Sequence, residues 1–142
     1  MSIYKDCDIR GIYQKEFDEQ DAYRIGRAVG TQYTGKTLAV GGDVRLSTPI
    51  LKQNLQQGLL ESGANVIDIG MVPTPVFYHA LHHLAVVGGI TVTASHNPPQ
   101  YNGFKLMFGE MPMTPESIDG IRQLVESGDF ARGTGTLSLL KQ

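Results

Sequence analysis

One cysteine, Cys7, is the whole thiol inventory of these 142 residues, so no disulfide can close within the chain. A lone thiol fits a reducing compartment, and the cytoplasm is the expected location. No apolar run approaches membrane-spanning length, and no membrane role is expected. Met1–Asp6 carries charge with no apolar stretch behind it and does not read as a signal peptide. Positive charge is not in excess either: 12 Lys and Arg stand against 14 Asp and Glu, for a net charge of -2. Without a basic stripe, nucleic acid is not an expected partner. The sequence also lacks a Walker loop and a Gly-x-Gly-x-x-Gly, so nucleotide binding has no motif behind it. It lacks the Gly-x-Ser-x-Gly elbow of one large hydrolase class.

What is present is ordinary globular composition, 41% hydrophobic and 18% charged, at a length suited to one domain. Asp8-Ile9-Arg10-Gly11 reads as a short strand or turn. Asp18 is placed to cap a helix to about Tyr33, with Ala22, Ile25, Val29 and Tyr33 at helical spacing. Thr37–Val40 reads as a strand ending at Gly41-Gly42-Asp43. Ser47-Thr48-Pro49 opens a helix whose buried stripe is Ile50, Leu51, Leu55 and Leu59, stopped by Gly63. A strand over Asn65–Gly70, a helix capped at Thr74-Pro75 and a buried strand over Gly89–Ala94 follow. Asn102-Gly103 reads as a turn before a strand over Phe104–Phe108, and Thr114-Pro115 starts a last helix closed by Gly128.

The β-α-β-α-β order predicts an α/β fold. It would be a three-layer α/β/α arrangement around a mixed, mostly parallel sheet of about four strands, the last antiparallel. Residues 1–133 are expected to form this domain, and 134–142, with apolar residues at the extreme end, the start of a connector to a second domain.

In such sheets ligands gather beyond the carboxyl ends of the strands. Thr93-Ala94-Ser95-His96-Asn97-Pro98 takes a hydroxyl off a strand end onto a stiff loop, and the chain returns a cation at Lys105. If Arg10, Arg45 and Lys105 converge on Ser95, with His96 beside it, the result is a cationic pocket in an acidic protein. That pocket would suit an anionic small substrate or a transferred phosphoryl group. Each residue alone has a plainer reading. Ser-His after a strand is usually a hydrogen-bonded turn, Arg10 could pair with a surface carboxylate, and Arg45 and Lys105 could simply be solvated. His79, His82 and His83 have zinc-like helical spacing but no evident third ligand, which favours a structural or interface role.

The full set resembles the α-D-phosphohexomutase superfamily, in its phosphomannomutase/phosphoglucomutase branch. Thr93–Pro99 with Tyr101-Asn102-Gly103-Phe104-Lys105 resembles that family's phosphoserine loop, and Asp8-Ile9-Arg10-Gly11 its N-terminal motif. Asp43-x-Arg45-x-Ser47-x-Pro49 and Pro73-Thr74-Pro75 resemble two further loops. The resemblance implies that Ser95 is phosphorylated and moves phosphate between C1 and C6 of a glucose or mannose phosphate through a hexose 1,6-bisphosphate. It implies Lys105 and Arg10 as catalytic groups, and His96, Asn97 and Arg45 as phosphate or substrate contacts. It also implies a Mg²⁺ held partly by Ser95 through its phosphate.

Gly42 stands where the family often has Arg, and the metal loop, sugar-reading loop and distal phosphate-binding domain have no counterpart in this sequence. Glu110-Met111-Pro112 resembles the sugar-reading motif at the wrong position, and that role is not transferred. The remaining domains of a parent chain are therefore expected partners, the isolated chain is expected to be nearly inactive, and newly exposed apolar surface is expected to favour a non-native homodimer. The alternatives are a non-enzymatic module that binds a phosphosugar or a protein, and a serine hydrolase built on Ser95 and His96.

Overall fold

A computed structural model describes residues 2–109 and 111–140. Glu110 of the Glu110-Met111-Pro112 motif, and Lys141 and Gln142 of the expected connector, lie outside the described residues. In chain order the elements are β1 (Ile9–Ile12), α1 (Glu19–Gln32), β2 (Thr37–Gly42), α2 (Thr48–Glu61), β3 (Asn65–Met71) and α3 (Thr74–His83). They continue with β4 (Gly88–Val92), β5 (Tyr101–Phe108), β6 (Met111–Pro112), α4 (Pro115–Ser127) and β7 (Leu137–Leu139). Among the described residues no helix is long and apolar enough to cross a membrane.

The helix ends follow local chemistry. Asp18 caps α1 by accepting from Gln20 and Asp21 N–H, and Asp21 returns a bond to the Asp18 N–H. Thr114 caps α4 through Ser117 N–H, and Gly128 ends it at φ +73°. Two caps differ from expectation. Ser47 makes no capping bond to α2, and Pro73 rather than Thr74 occupies the position before α3.

The sheet has seven strands, ordered β1-β5-β4-β2-β3-β7 with β6 alongside β5. The expectation of about four is corrected by the short strands β1, β6 and β7, which lack a sustained apolar alternation. β2 pairs parallel with β3 and β4, and β7 parallel with β3, while β5 runs antiparallel to β1, β4 and β6. The predicted antiparallel strand is thus present. It begins at Tyr101, so Asn102-Gly103 lies inside it, and the turn is made earlier, where Tyr101 N–H donates to Pro98 O at 3.0 Å. The 134–140 stretch, expected as a connector, carries β7, whose Leu137 and Leu139 stand opposite Val66 and Asp68 at the sheet edge.

Alternation along the strands makes three layers. Ile9, Leu38, Val40, Val66, Ile90, Val92, Phe104 and Leu106 face a core shared with α1, α2 and α4. Ala39 and Ile69 face the other way, under Phe77 of α3. Helices α1 and α2 cross at near backbone contact: a Cβ on Gly58 would lie 2.2 Å from Tyr23 O. Ile50, expected in the buried stripe of α2, is 42% exposed because it sits in the first turn, at the rim of the strand-end cleft.

Because α3 covers β2, β3 and β4, the same face of β1 and β5 is left without a helix. Ile9, Phe104 and Leu106 point into the main core, so their alternating neighbours Arg10 and Lys105 point to this uncovered face. The loops after β2, β3 and β4 open at the adjoining edge.

Candidate active site

The Ser95 loop leaves the sheet at Thr93, whose N–H donates to Gly103 O at 2.9 Å. Ser95 then takes φ +54°, in the left-handed region. With a Cβ present that conformation costs about 1–2 kcal/mol, so the surroundings must impose it. Ser95 N–H donates to Thr93 Oγ1 at 3.0 Å, and Asn97 N–H closes a turn on Ala94 O at 3.0 Å. The outcome is an exposed serine on a loop with an internal hydrogen-bond frame.

Arg45 holds that frame from outside. Its side chain is only 12% exposed. Nη1 donates to Pro98 O at 2.7 Å and Tyr101 O at 3.0 Å, Nη2 to Ser95 O at 2.9 Å and Asn97 O at 2.8 Å, and Nε to Asp43 Oδ2 at 3.2 Å. A guanidinium has five N–H donors, and here each has a partner. The expected phosphate contact is therefore replaced by a clamp: in this conformation Arg45 has no N–H to offer an anion.

Asp43 fixes Arg45 in turn. Its Oδ1 accepts from Arg45 N–H at 3.0 Å and from Thr48 Oγ1 at 2.8 Å. Thr48 Oγ1 and Ser47 Oγ accept from Asn102 Nδ2 at 3.0 and 2.8 Å, and Asn102 Oδ1 accepts from Gly103 N–H at 2.9 Å. Asn102 is fully buried, so this chain of bonds runs from β5 through the start of α2 to the serine loop without solvent at its centre. Reasoning from sequence assigned neither Asn102 nor Asp43 a site role. The signal for Asp43 was its spacing two residues before Arg45. For Asn102 it was an amide in an apolar strand, which a turn reading had explained away.

The two other cations reach the loop differently. Arg10 Nη1 donates to Asn97 Oδ1 at 3.3 Å, and its Nε lies 3.6 Å from Asp8 Oδ1. At 44% exposure its side chain keeps much of its surface in water. Lys105 pairs with Thr91 across β4 and β5, and its side chain lines the same cleft as Ser95, His96 and Asn97. Among the described residues its ammonium has no ion-pair or hydrogen-bond partner, unlike Lys5 and Lys52.

The cleft has a volume of about 1230 Å³, with Tyr13 and Pro73 also on its walls. Burial, then the 2.7 Å bond to Glu19, raises the Tyr13 phenol above its ordinary range, so it stays a neutral hydroxyl. One side of the cleft mouth is apolar: Val44 and Leu46 are 76% and 100% exposed, flanking the inward-pointing Arg45.

Ser95, His96, Asn97, Arg45 and Lys105 thus line one cleft, as expected, and Arg10 joins it through Asn97. No hydrogen bond among the described residues joins Ser95 to His96, which leaves the hydrolase alternative without its base. An exposed hydroxyl on an internally hydrogen-bonded loop, with Lys105 and Arg10 beside it and an arginine whose donors are all taken, makes a place where an anionic group can be held against Ser95.

Residues 1–132 match the family described as phosphoglucomutase/phosphomannomutase, alpha/beta/alpha domain I. The chain belongs to that family. It is 42% identical over 139 residues to a phosphomannomutase/phosphoglucomutase of Pseudomonas aeruginosa PAO1, covering 96% of this chain and 30% of the relative. It is 46% identical over 132 residues to a phosphomannomutase of Salmonella montevideo, covering 92% and 29%. The fold superposes on the crystal structure of a family protein from Burkholderia thailandensis with a TM-score of 0.91 at 38% identity, covering 98% of this chain and 33% of that one. The chain therefore spans about 30% of the length of the curated relatives it matches.

Proposed function

We propose that this chain is the phosphoserine-bearing domain of a larger phosphohexomutase that moves phosphate between C1 and C6 of a glucose or mannose phosphate. The observation that carries the reading is the exposed Ser95, held at φ +54° by its loop frame and the Arg45 clamp, in a cleft shared with Lys105. In the forward half-reaction the P–O bond to Ser95 Oγ breaks and a new P–O bond forms to a sugar hydroxyl oxygen. The sugar proton passes to a base, and Ser95 Oγ regains a proton. The resulting hexose 1,6-bisphosphate turns over, and its other phosphoryl group returns to Ser95.

Each residue has a stated part. Lys105 is the acid/base group beside the reacting hydroxyl, and Arg10 stabilises charge, since arginine stays protonated and is a poor base. His96 and Asn97 orient the phosphoryl group, with Asn97 held by Arg10. Arg45 positions the loop.

A Mg²⁺ would neutralise the transferring group. Among the described residues no cluster of three His, Cys, Asp or Glu side chains can hold a metal ion, and the Asp43 carboxylate is occupied by Arg45 and Thr48. The donors present do not by themselves form a Mg²⁺ site. Beyond a phosphoryl oxygen on Ser95, the ligands would come from outside this chain.

The apolar mouth at Val44 and Leu46 is surface that the remaining length of a parent protein would cover. Left bare, it supports both the expected inactivity of the isolated chain and its expected self-association, which light scattering tests.

The deciding experiment is intact-protein mass before and after incubation with hexose 1,6-bisphosphate. The expected result is a gain of one phosphoryl group that Ser95→Ala abolishes. Uptake that survives Ser95→Ala overturns Ser95 as the carrier. Robust mutase turnover by the 142 residues alone would overturn the expected inactivity.

A further inference from the structure

A second cluster of chemistry-bearing side chains lies on α3, away from the Ser95 cleft. His79 and His83 are one helical turn apart and exposed, and their rings stack with centroids 4.2 Å apart and planes 29° from parallel. His83 Nδ1 lies 2.9 Å from His79 O. A carbonyl oxygen can only accept, so Nδ1 carries a proton, and in the neutral ring Nε2 carries the lone pair. A backbone carbonyl holding the far nitrogen of an imidazole is the arrangement that orients histidine ligands on metals.

We infer that His79 and His83 form a two-histidine clamp for a divalent transition-metal ion. With His83 held by that bond, rotation of the His79 ring about its broad terminal torsion brings one of its nitrogens toward the His83 Nε2 side of the pair. Two imidazoles select Ni²⁺, Cu²⁺ or Zn²⁺ and discriminate against Mg²⁺, which demands oxygen ligands. This site is therefore chemically separate from any Mg²⁺ at Ser95 and does not rest on the function proposed above. Among the described residues no third protein ligand completes it, so water fills the open positions and the ion exchanges readily. His82, also one turn from His79, makes no such ring contact among the described residues. The clamp ties the last turn of α3 together, while the first turn of the same helix, at Thr74 and Pro75, lines the cleft.

The test is titration with Ni²⁺ alone, in a Cys7→Ser background that removes the exposed thiol. Calorimetry supplies affinity, and paramagnetic broadening in NMR supplies location. The expected result is one Ni²⁺ per chain, with broadening centred on the last turn of α3 and absent from the Ser95 loop. His79→Gln and His83→Gln should each weaken binding about tenfold or more, with His82→Gln within about twofold of the parent. Mg²⁺ should not compete. All three positions are exposed, so the variants should stay folded, which far-UV circular dichroism checks. Unchanged affinity in either clamp variant, an equal loss in His82→Gln, or broadening centred elsewhere overturns the proposal.

Discussion

Replacing Arg45 by Ala should loosen the Ser95 loop far more than it destabilises the domain. The side chain makes four bonds to loop carbonyls and one to Asp43. A hydrogen bond to a charged group contributes about 1.5–3 kcal/mol net. The Ser95 and Pro98 carbonyls lie at the solvent boundary and rehydrate when released, whereas the bonds to Asn97 and Tyr101 are partly buried. Counting those two bonds gives about 3–6 kcal/mol. Release of the left-handed strain at Ser95 returns about 1–2 kcal/mol. The net is about 3 kcal/mol, close to a 150-fold increase in the open population of the loop.

Native-state hydrogen exchange reads this directly at the Ser95, Asn97 and Tyr101 amides, each of which is hydrogen-bonded within the loop. Arg45→Lys keeps the charge but not the planar fork, so it should recover only part of the protection. Ser95→Gly removes the strain at its source and should slow loop exchange when combined with Arg45→Lys. If Arg45→Lys protects as well as arginine, the clamp is refuted and a simple charge effect remains; if loop exchange is unchanged in Arg45→Ala, neither the bonds nor the charge order the loop.

Asn102→Ala should cost about 1–3 kcal/mol in urea unfolding, because it strands the buried Gly103 N–H and unties β5 from Ser47 and Thr48; a neutral result would refute the role assigned to that amide. Gly58→Ala should cost about 1–3 kcal/mol or more, because the new Cβ would sit 2.2 Å from Tyr23 O and force α1 and α2 apart; wild-type stability would show that the crossing is looser than described. Burial pushes the Asp68 carboxyl up, but bonds from Lys52, Gln56 and Gly70 N–H outweigh it, and the net shift is below the ordinary range. A depressed folded-state pKa means its stabilisation is full above the unfolded value of about 3.9 and is lost as pH falls through the folded value. The advantage of wild type over Asp68→Asn, followed by urea midpoint, should therefore hold from neutrality to about pH 4 and vanish below it. A difference that changes between pH 8 and 6 instead would point to another group.

The parts of the fold that the sequence predicted well are those written in neighbouring residues. Asp18 and Asp21 cap α1 across three positions, and Thr114 and Gly128 bound α4 in the same local way. The misread parts depend on distant partners. Asn102-Gly103 carries a local hairpin signal, but the Asn102 side chain bonds to residues 54 and 55 positions away, and those bonds hold it inside β5. Short β7 pairs with β3, more than sixty residues earlier, and its three residues Leu137-Ser138-Leu139 are too short an alternation to mark a strand beforehand. The site shows the same division. A hydroxyl on a strand-end loop was legible at Ser95, and so was a cation at Arg45. That four loop carbonyls and one carboxylate would consume all of that cation's donors was not, because backbone acceptors leave no mark in a sequence.

That saturated arginine sits inside the apolar mouth of the cleft. The chain bends at Val44 and turns at Leu46 and Ser47, with Arg45 drawn inward between them. Val44 and Leu46 are 76% and 100% exposed, left bare on either side of the clamp. Loop order and the outer apolar surface are thus two faces of one three-residue segment. A change that releases Arg45 should therefore disturb both the geometry around Ser95 and whatever packs on Val44 and Leu46. By the same logic, a partner seated on Val44 and Leu46 would hold Arg45 inward and tighten the loop that carries the serine. Arg10 shares in this coupling through Asn97, whereas Lys105, which has no ion-pair or hydrogen-bond partner among the described residues, stands outside it and can answer the charge of whatever the serine carries.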